Sequence, residues 1–194
     1  MPDRRGPFAW LGLTVLGMAG WTVEGGPPDL PKYVLVGAPH TSAWDFPLML
    51  AFGLVWGVKF QWLGKTSLFR PPLGALFRAL GGIPVERSAS QQQVQLVVQQ
   101  FRERERMALA ISPEGTRRQS GHWRTGFYYI AHGAGVPIAL GFLDYGRKVG
   151  GIGPTIVPTG SIERDLPAIA AFYADIRGRH PEKASAVTLA PSKE

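Results

Sequence analysis

The sequence predicts an α/β fold: a single layered domain in which helices flank a mostly parallel or mixed sheet. Short apolar runs of strand length alternate along the chain with longer segments whose apolar residues recur at helical spacing. Alternation of this kind is typical of a sheet covered by helices. In addition, 45% of the 194 residues are hydrophobic, which is enough apolar side chain to build a buried core.

The first 24 residues differ in character from residues 25–194, which we expect to form the domain itself. They contain an apolar run, Phe8 to Val23, that is shorter than the ~20 residues needed to span a bilayer. Three interpretations remain open: a cleaved signal peptide, a buried first helix, or a helix lying on the membrane surface. Side chains that prefer the headgroup boundary stand near the ends of the run: Arg4, Arg5, Trp10 and Trp21.

The remaining elements follow in the order expected of this class. Strands are predicted at 33–37, 57–64, 83–87, 107–111 and 136–143. Helices are predicted at 44–56, 67–80 (interrupted by two prolines), 91–106, 123–131 and 166–177. The tail after residue 180 is predicted either to fray or to add one edge strand near 186–189.

Composition narrows the chemistry before any motif is considered. The chain has no cysteine, which excludes disulfides, thiolate catalysis and cysteine-bound zinc. Its four histidines are scattered, so we expect no metal site and no bound cofactor. A net charge of +7 indicates an anionic partner, which the composition leaves open as nucleic acid, an anionic membrane or a phosphate-bearing substrate.

One turn carries a candidate catalytic pair. His40 lies between the predicted strand at 33–37 and the predicted helix at 44–56, where α/β proteins commonly bind ligands. Asp45, in the first helical turn, can reach back to the imidazole, and a carboxylate–imidazole pair is suited to general-base catalysis. The alternative is structural, because Ser42 and Asp45 also match a helix-capping box.

Two further strand ends carry polar residues. Arg87 ends one predicted strand, and Glu114, Gly115, Thr116 and Arg117 follow another. The glycine allows a tight turn that exposes backbone N–H groups, and Arg117 offers a planar fork for a phosphate. These residues indicate an anion site beside the histidine, although such a loop can also be a simple surface turn.

Taken together, these motifs resemble the glycerolipid acyltransferase family, typified by lysophosphatidic acid (1-acyl-sn-glycerol-3-phosphate) acyltransferase. The resemblance spans about residues 32–143 and rests on four motifs in the family's order. They are His40-x4-Asp45, Gly82 to Arg87, Pro113-Glu114-Gly115-Thr116-Arg117 and Val136-Pro137-Ile138. The sequence departs from the family pattern at Ser112, Arg118 and Glu86, which flank the expected headgroup site.

The resemblance implies an O-acyltransferase that moves a fatty acyl group from a thioester to the hydroxyl of a lysophospholipid. His40 would act as general base with Asp45, Arg87 and Arg117 would hold the acceptor's phosphate, and Glu114 would orient the glycerol hydroxyls or the loop. The donor would be acyl-CoA or acyl carrier protein, used as co-substrate. Phe46, Leu50 and Trp56 are candidates to line the acyl groove.

We expect this enzyme to be a peripheral (monotopic) protein at the cytoplasmic face of the membrane, without a nucleic-acid partner. Its basic residues are dispersed among apolar segments, which is a poor footprint for nucleic acid. Two alternatives come from other classes. One is a non-catalytic basic protein that binds membranes or nucleic acid, and the other is a Ser-His-Asp hydrolase that uses Ser42 or Ser112.

Overall fold

Strands and helices alternate along the chain in a computed structural model, which describes residues 7–85, 90–117 and 119–190. The strands of these residues are β1 (Thr22–Gly25), β2 (Lys32–Ala38), β3 (Gln61–Lys65), β4 (Gly82–Val85), β5 (Met107–Ile111), β6 (Ile138–Asp144) and β7 (Val149–Ile156). The α-helices are α1 (Ala9–Met18), α2 (Asp45–Trp56), α3 (Gly74–Ala79), α4 (Ser90–Glu103), α5 (Gly126–Ala134) and α6 (Ile162–Tyr173). Short 3-10 turns occupy Thr66–Phe69 and Pro181–Lys183.

The described strands form one seven-stranded sheet in the order β1-β7-β6-β2-β5-β3-β4. Neighbouring strands run parallel except β6 and β7, which form an antiparallel pair. The predicted mostly parallel or mixed sheet is therefore confirmed. Because β2, β5 and β6 are parallel neighbours, their carboxyl ends meet at one edge of the sheet, and the segments that follow them come together there.

The two faces of the sheet are covered by different helices. On central strand β2, Tyr33 and Leu35 face the side that carries α1 and α2, whereas Val34 and Val36 face α4, α5 and α6. This alternation follows from the two-residue repeat of a strand. Both sets are buried, which explains why the sequence of β2 is a continuous apolar run rather than an alternating one.

Helix α1 packs on α2 through its small residues. Gly12 lies so close that a Cβ there would come within 2.6 Å of the carbonyl oxygen of Ala51, and Leu16 is buried nearby. The opposite side of α1 exposes large apolar side chains, including Trp10 at 66% and Met18 at 80%. Among the described residues, no helix is both long and apolar enough to cross a membrane.

Several predicted elements differ from the structure. Strands β1 and β7 were not predicted. The segment 67–80 is interrupted at Pro71-Pro72 as expected, but the part before the prolines is a 3-10 turn, and only α3 after them is an α-helix. Of the two alternatives for the tail, the edge strand was wrong, because 186–189 form no strand. This segment is held by the backbone N–H of Trp123, which donates to the Thr188 carbonyl at 2.9 Å. The predicted strand end at Glu86 and Arg87 lies outside the described residues.

Candidate active site

The structure brings His40 and Asp45 together at the carboxyl end of β2. His40 follows the strand on a turn, and Asp45 is the first residue of α2. The Nδ1 atom of His40 lies 2.9 Å from Oδ2 of Asp45. The imidazole is about one-third exposed, whereas the carboxylate is buried. This arrangement leaves Nε2 as the ring nitrogen available to accept a proton, since Nδ1 is engaged by the carboxylate.

Both oxygens of the Asp45 carboxylate accept hydrogen bonds. Besides His40, Oδ2 accepts the backbone N–H of Ser42 at 3.0 Å. The other oxygen, Oδ1, accepts the hydroxyl of Tyr145 at 2.6 Å. The helix-capping box considered from the sequence is not formed, because Trp44 is the N-cap of α2 and no side chain caps the helix. The Asp45 carboxylate instead holds both the turn, through Ser42, and the imidazole.

Tyr145 reaches the site from the turn between β6 and β7. Its ring packs edge-on against Trp21, with ring centroids 4.8 Å apart. Burial, together with the hydrogen bond to the Asp45 carboxylate, raises the pKa of the Tyr145 hydroxyl well above its ordinary value. The hydroxyl therefore remains a proton donor at neutral pH. Sequence reasoning missed this residue because no local spacing links it to Asp45.

Glu114 supports the His40 turn from the loop that follows the neighbouring strand, β5. Its side chain is 0% exposed, and Oε1 accepts the backbone N–H of His40 at 3.0 Å. Burial raises the pKa of the Glu114 carboxyl above its ordinary value, although the hydrogen bond from His40 opposes that shift. Within the described chain, two buried oxygens here have no hydrogen-bond partner, Oε2 of Glu114 and Oγ of Ser112.

The loop after β5 places the remaining predicted residues beside this turn. Gly115 adopts a left-handed conformation (φ 65°), and a Cβ there would come within 2.8 Å of the Arg124 side chain. Thr116 is half-buried and Arg117 is exposed. Arg87 and Arg118 lie outside the described residues, so the structure does not place these two candidates.

An apolar cavity of about 210 Å³ extends from His40 beneath α2. Its floor is the sheet, where Gly37 of β2 and Gly141 of β6 are direct cross-strand neighbours. Its roof is α2, through Phe46, Met49, Phe52 and Trp56, and Phe60 and Trp62 complete the wall. The absence of side chains on the two glycines leaves the space open. Of the three candidate groove residues, Phe46 and Trp56 belong to the lining described here, and Leu50 does not.

A segment near the carboxyl terminus also supports the turn after β2. The backbone N–H of His180 donates to Oγ1 of Thr41 at 3.1 Å, and Gly178 packs directly against the same threonine. The guanidinium of Arg179 lies 5.8 Å from the ring centroid of Trp44, within cation–π distance. No local sequence pattern predicts these contacts, because the two segments lie more than a hundred residues apart.

The described residues contain no group of three histidine, aspartate or glutamate side chains that is arranged to hold a metal ion. The site therefore consists of a paired imidazole and carboxylate at the mouth of an apolar cavity, with an arginine-bearing loop beside it. Such a site can remove a proton from a hydroxyl next to a bound hydrocarbon chain.

Two comparisons relate the chain to known proteins. The family model for acyltransferases matches residues 26–140, more than half of the chain. Among solved structures, the chain is similar to the crystal structure of the 1-acyl-sn-glycerophosphate (LPA) acyltransferase PlsC from Thermotoga maritima. The TM-score is 0.57 at 20% sequence identity, over 84% of this chain and 73% of that one, which is a likeness of fold. No curated protein sequence matches the chain.

The residues matched by the family model include His40, Asp45 and the loop at 113–117. The chain belongs to the acyltransferase family.

Proposed function

We propose that the protein transfers a fatty acyl group from a thioester to the hydroxyl of a lysophospholipid such as lysophosphatidic acid. One observation carries the proposal: the His40–Asp45 pair stands at the mouth of an apolar cavity. A general base beside a hydrocarbon site is what acyl transfer to an alcohol requires, since the thioester is already activated and needs no covalent enzyme intermediate.

In this mechanism Nε2 of His40 removes the proton of the acceptor hydroxyl as its oxygen attacks the thioester carbonyl. The resulting imidazolium is stabilised by the negative charge of Asp45, 2.9 Å from Nδ1. The tetrahedral intermediate then collapses, the C–S bond breaks, and the thiolate takes the proton back from the imidazolium. The products are an ester and a free thiol, and His40 returns to its starting state.

The cavity beneath α2 suits the acyl chain of the donor. Its lining is mostly aromatic and aliphatic, and it begins at His40, so a chain lying in it would place the thioester carbonyl beside the imidazole. The thiol part of the donor, coenzyme A or acyl carrier protein, would remain outside. Either donor is anionic and suits a chain with a net charge of +7.

The acceptor's phosphate is assigned to the loop after β5. Arg117 is exposed there, beside Thr116, and Gly115 gives the loop its tight turn, in which the Gly115 N–H donates to the Ser112 carbonyl at 3.2 Å. Arg87 is proposed as the second phosphate ligand on the strength of the sequence motif. Glu114 is assigned to holding the loop, because its Oε1 already accepts the His40 N–H and the side chain is inaccessible to solvent.

A membrane surface is the proposed location of the reaction, at the cytoplasmic face. The face of the sheet that carries the cavity also exposes apolar side chains from α1 and from the segment 66–79, among them Trp10, Met18, Leu73 and Leu76. Residues 46–85 contain no acidic residue, and their cations are Lys59, Lys65, Arg70 and Arg78. Exposed apolar groups beside cations are typical of proteins that bind anionic bilayers.

The reaction is tested by mass spectrometry with purified protein, acyl-CoA or acyl carrier protein donors, and lysolipids with and without a phosphate headgroup. We expect an acylated phospholipid from the wild type and none from His40→Ala. His132→Ala, an exposed histidine on α5, is the matched control and should retain full turnover. Release of free thiol and fatty acid without an acylated lipid, or turnover by His40→Ala, would contradict the proposed function.

The acyl cavity is tested at Gly37, because a Cβ added there meets no atom within 4 Å. A Gly37→Leu side chain would therefore start in open space and extend into the cavity, of which Gly37 is a lining residue. We expect turnover of long-chain donors to fall at least about tenfold, since the chain loses its apolar contacts, while acetyl and butyryl donors remain substrates. An equal loss with donors of every length would mean that the chain binds elsewhere.

Membrane binding is tested by flotation with vesicles containing phosphatidylglycerol, and with phosphatidylcholine alone. Trp10→Glu should release the protein from anionic vesicles, because a charge at an exposed apolar position opposes insertion. Leu96→Glu is the matched control: this leucine is 60% exposed but lies on α4, on the other face of the sheet. Equal flotation of the two variants would refute the assignment of this face.

A further inference from the structure

We propose that Tyr145 is a positioning residue that fixes the Asp45 carboxylate against His40 and limits its pull on the imidazolium. This inference rests on the proposed general-base role of His40 and extends it to a residue on a distant turn. Tyr145 lies outside the four sequence motifs that contain the other site residues, and it is 100 residues from Asp45 in the sequence.

The two oxygens of the Asp45 carboxylate contact different partners. Oδ1 of Asp45 accepts the Tyr145 hydroxyl at 2.6 Å, and Oδ2 faces Nδ1 of His40 at 2.9 Å. The Ser42 N–H also donates to Oδ2, at 3.0 Å. Rotating the carboxylate would break bonds at both ends, so the tyrosine and the turn together specify one orientation. Without the tyrosine, Oδ1 would be a buried charged oxygen with its described side-chain donor removed.

Tyr145 is itself held in place by its ring and by its backbone. Its ring packs edge-on against Trp21, and its backbone N–H donates to the carbonyl of Arg177 at 2.8 Å. The turn that carries it is closed by Asp144, whose Oδ1 accepts the N–H groups of Gly146 and Arg147 at 2.9 and 3.3 Å. Because the Tyr145 hydroxyl is supported in this way, it can determine the orientation of the Asp45 carboxylate.

The hydroxyl of Tyr145 also affects the electrostatics of the pair. Besides Asp45 and His40 themselves, the titratable groups beside this cluster are Glu114 on the loop after β5 and Arg179 near the carboxyl terminus. A hydrogen bond from Tyr145 disperses the negative charge of Asp45, which weakens the attraction between the carboxylate and a protonated His40. His40 can then return its proton to the departing thiolate. Without the hydroxyl, the carboxylate would attract the imidazolium more strongly, and the return of the proton to the thiolate should be slower.

The test is Tyr145→Phe, which keeps the ring against Trp21 and removes only the hydroxyl. We expect kcat to fall about tenfold, the effect of losing one hydrogen bond to a charged group, with the KM values for donor and acceptor unchanged. The acidic limb of the pH–rate profile should move to higher pH. Tyr33→Phe is the matched control, because the Tyr33 hydroxyl is buried and has no hydrogen-bond partner within the described ranges.

A second measurement does not depend on turnover. In the free protein, the chemical shifts of the His40 ring are followed by NMR against pH, and Tyr145→Phe should move the titration midpoint upward while Tyr33→Phe leaves it in place. An unchanged midpoint would refute the inference, as would a fall in kcat that only follows a lower Tm. Absence of acyl transfer by the wild type would instead refute the proposed function, and the midpoint shift would still report on the tyrosine.

Discussion

Two loops meet at the carboxyl edge of the sheet, and they are built in different ways. In the turn after β2, both oxygens of Asp45 accept hydrogen bonds, and Thr41 accepts one from the segment behind it. In the loop after β5, Ser112 Oγ and Glu114 Oε2 are buried without a partner in the described chain, and Arg117 is exposed. The first loop is preorganised by the protein itself, whereas the second exposes Arg117 to solvent, where its guanidinium can meet a ligand.

This difference separates two tasks of the proposed enzyme. Groups that move protons must be fixed before the substrate arrives, because their reorganisation would add to the barrier. Groups that bind a headgroup form their bonds with the substrate. Substitutions in the turn after β2 should therefore lower kcat, and substitutions in the loop after β5 should mainly change KM.

The largest effect is expected from Asp45→Asn. An amide cannot stabilise the imidazolium and favours the wrong tautomer of His40, so kcat should fall by a factor on the order of 10⁴ with little change in KM. Steady-state kinetics with Asp175→Asn, an exposed aspartate after α6, as the control would measure this effect. A rise in KM with kcat preserved would erase the proposed distinction between the two loops.

A smaller effect is expected from Arg117→Ala. Loss of a charge-assisted contact to phosphate should raise the KM for a phosphorylated acceptor by about 10- to 100-fold, with the KM for the donor unchanged. The exposed Arg164 on α6 provides the control variant, Arg164→Ala. Equal increases in the two KM values would indicate that Arg117 supports the loop rather than the phosphate.

The smallest effect on turnover is expected from Glu114→Gln, whose amide oxygen can still accept the His40 N–H. Its effect on stability should depend on pH. Because burial raises the pKa of Glu114 from 4.5, the folded state keeps this proton over a pH range in which the unfolded chain has lost it. The wild-type free energy of unfolding should thus fall as pH rises through that range, and the variant should lack this contribution.

Urea denaturation at a series of pH values from 4 upward would measure the difference between Glu114→Gln and the wild type. We expect the difference to shift in favour of the variant as pH rises. Parallel curves would mean that the carboxyl titrates alike in the folded and unfolded chains, which would remove the evidence that Glu114 is a buried support of the turn.

The central elements of the fold were predictable from sequence because their burial is symmetrical. Strands such as Met107–Ile111 read as continuous apolar runs, since helices cover both of their sides. β7 was not predictable in this way, because Gly150, Gly151 and Gly153 lower its strand propensity. Tertiary packing requires glycine at one of these positions, because a Cβ at Gly151 would collide with the backbone of Glu24 on β1.

The candidate site likewise contains some contacts that a local sequence pattern predicts and others that depend on tertiary packing. His40 and Asp45 are five residues apart, so a turn and a helix start suffice to predict that they can meet. Tyr145 and the support of Thr41 by His180 depend on the whole sheet being assembled, and no local pattern encodes them. Arg117 was identified through its motif, and its role as a phosphate ligand remains a prediction.

The facing glycines in the cavity floor have an evolutionary consequence. Gly37 lies three residues before His40 and projects no side chain into a space that could hold one, whereas a Cβ at Gly141 would meet Leu35 at 2.9 Å. A change at Gly37 alone could shorten the accepted chain while leaving the hydrogen bonds of the catalytic turn intact. The lipid composition of a membrane made by such enzymes would then be open to adjustment through one codon, with little penalty for the remainder of the protein.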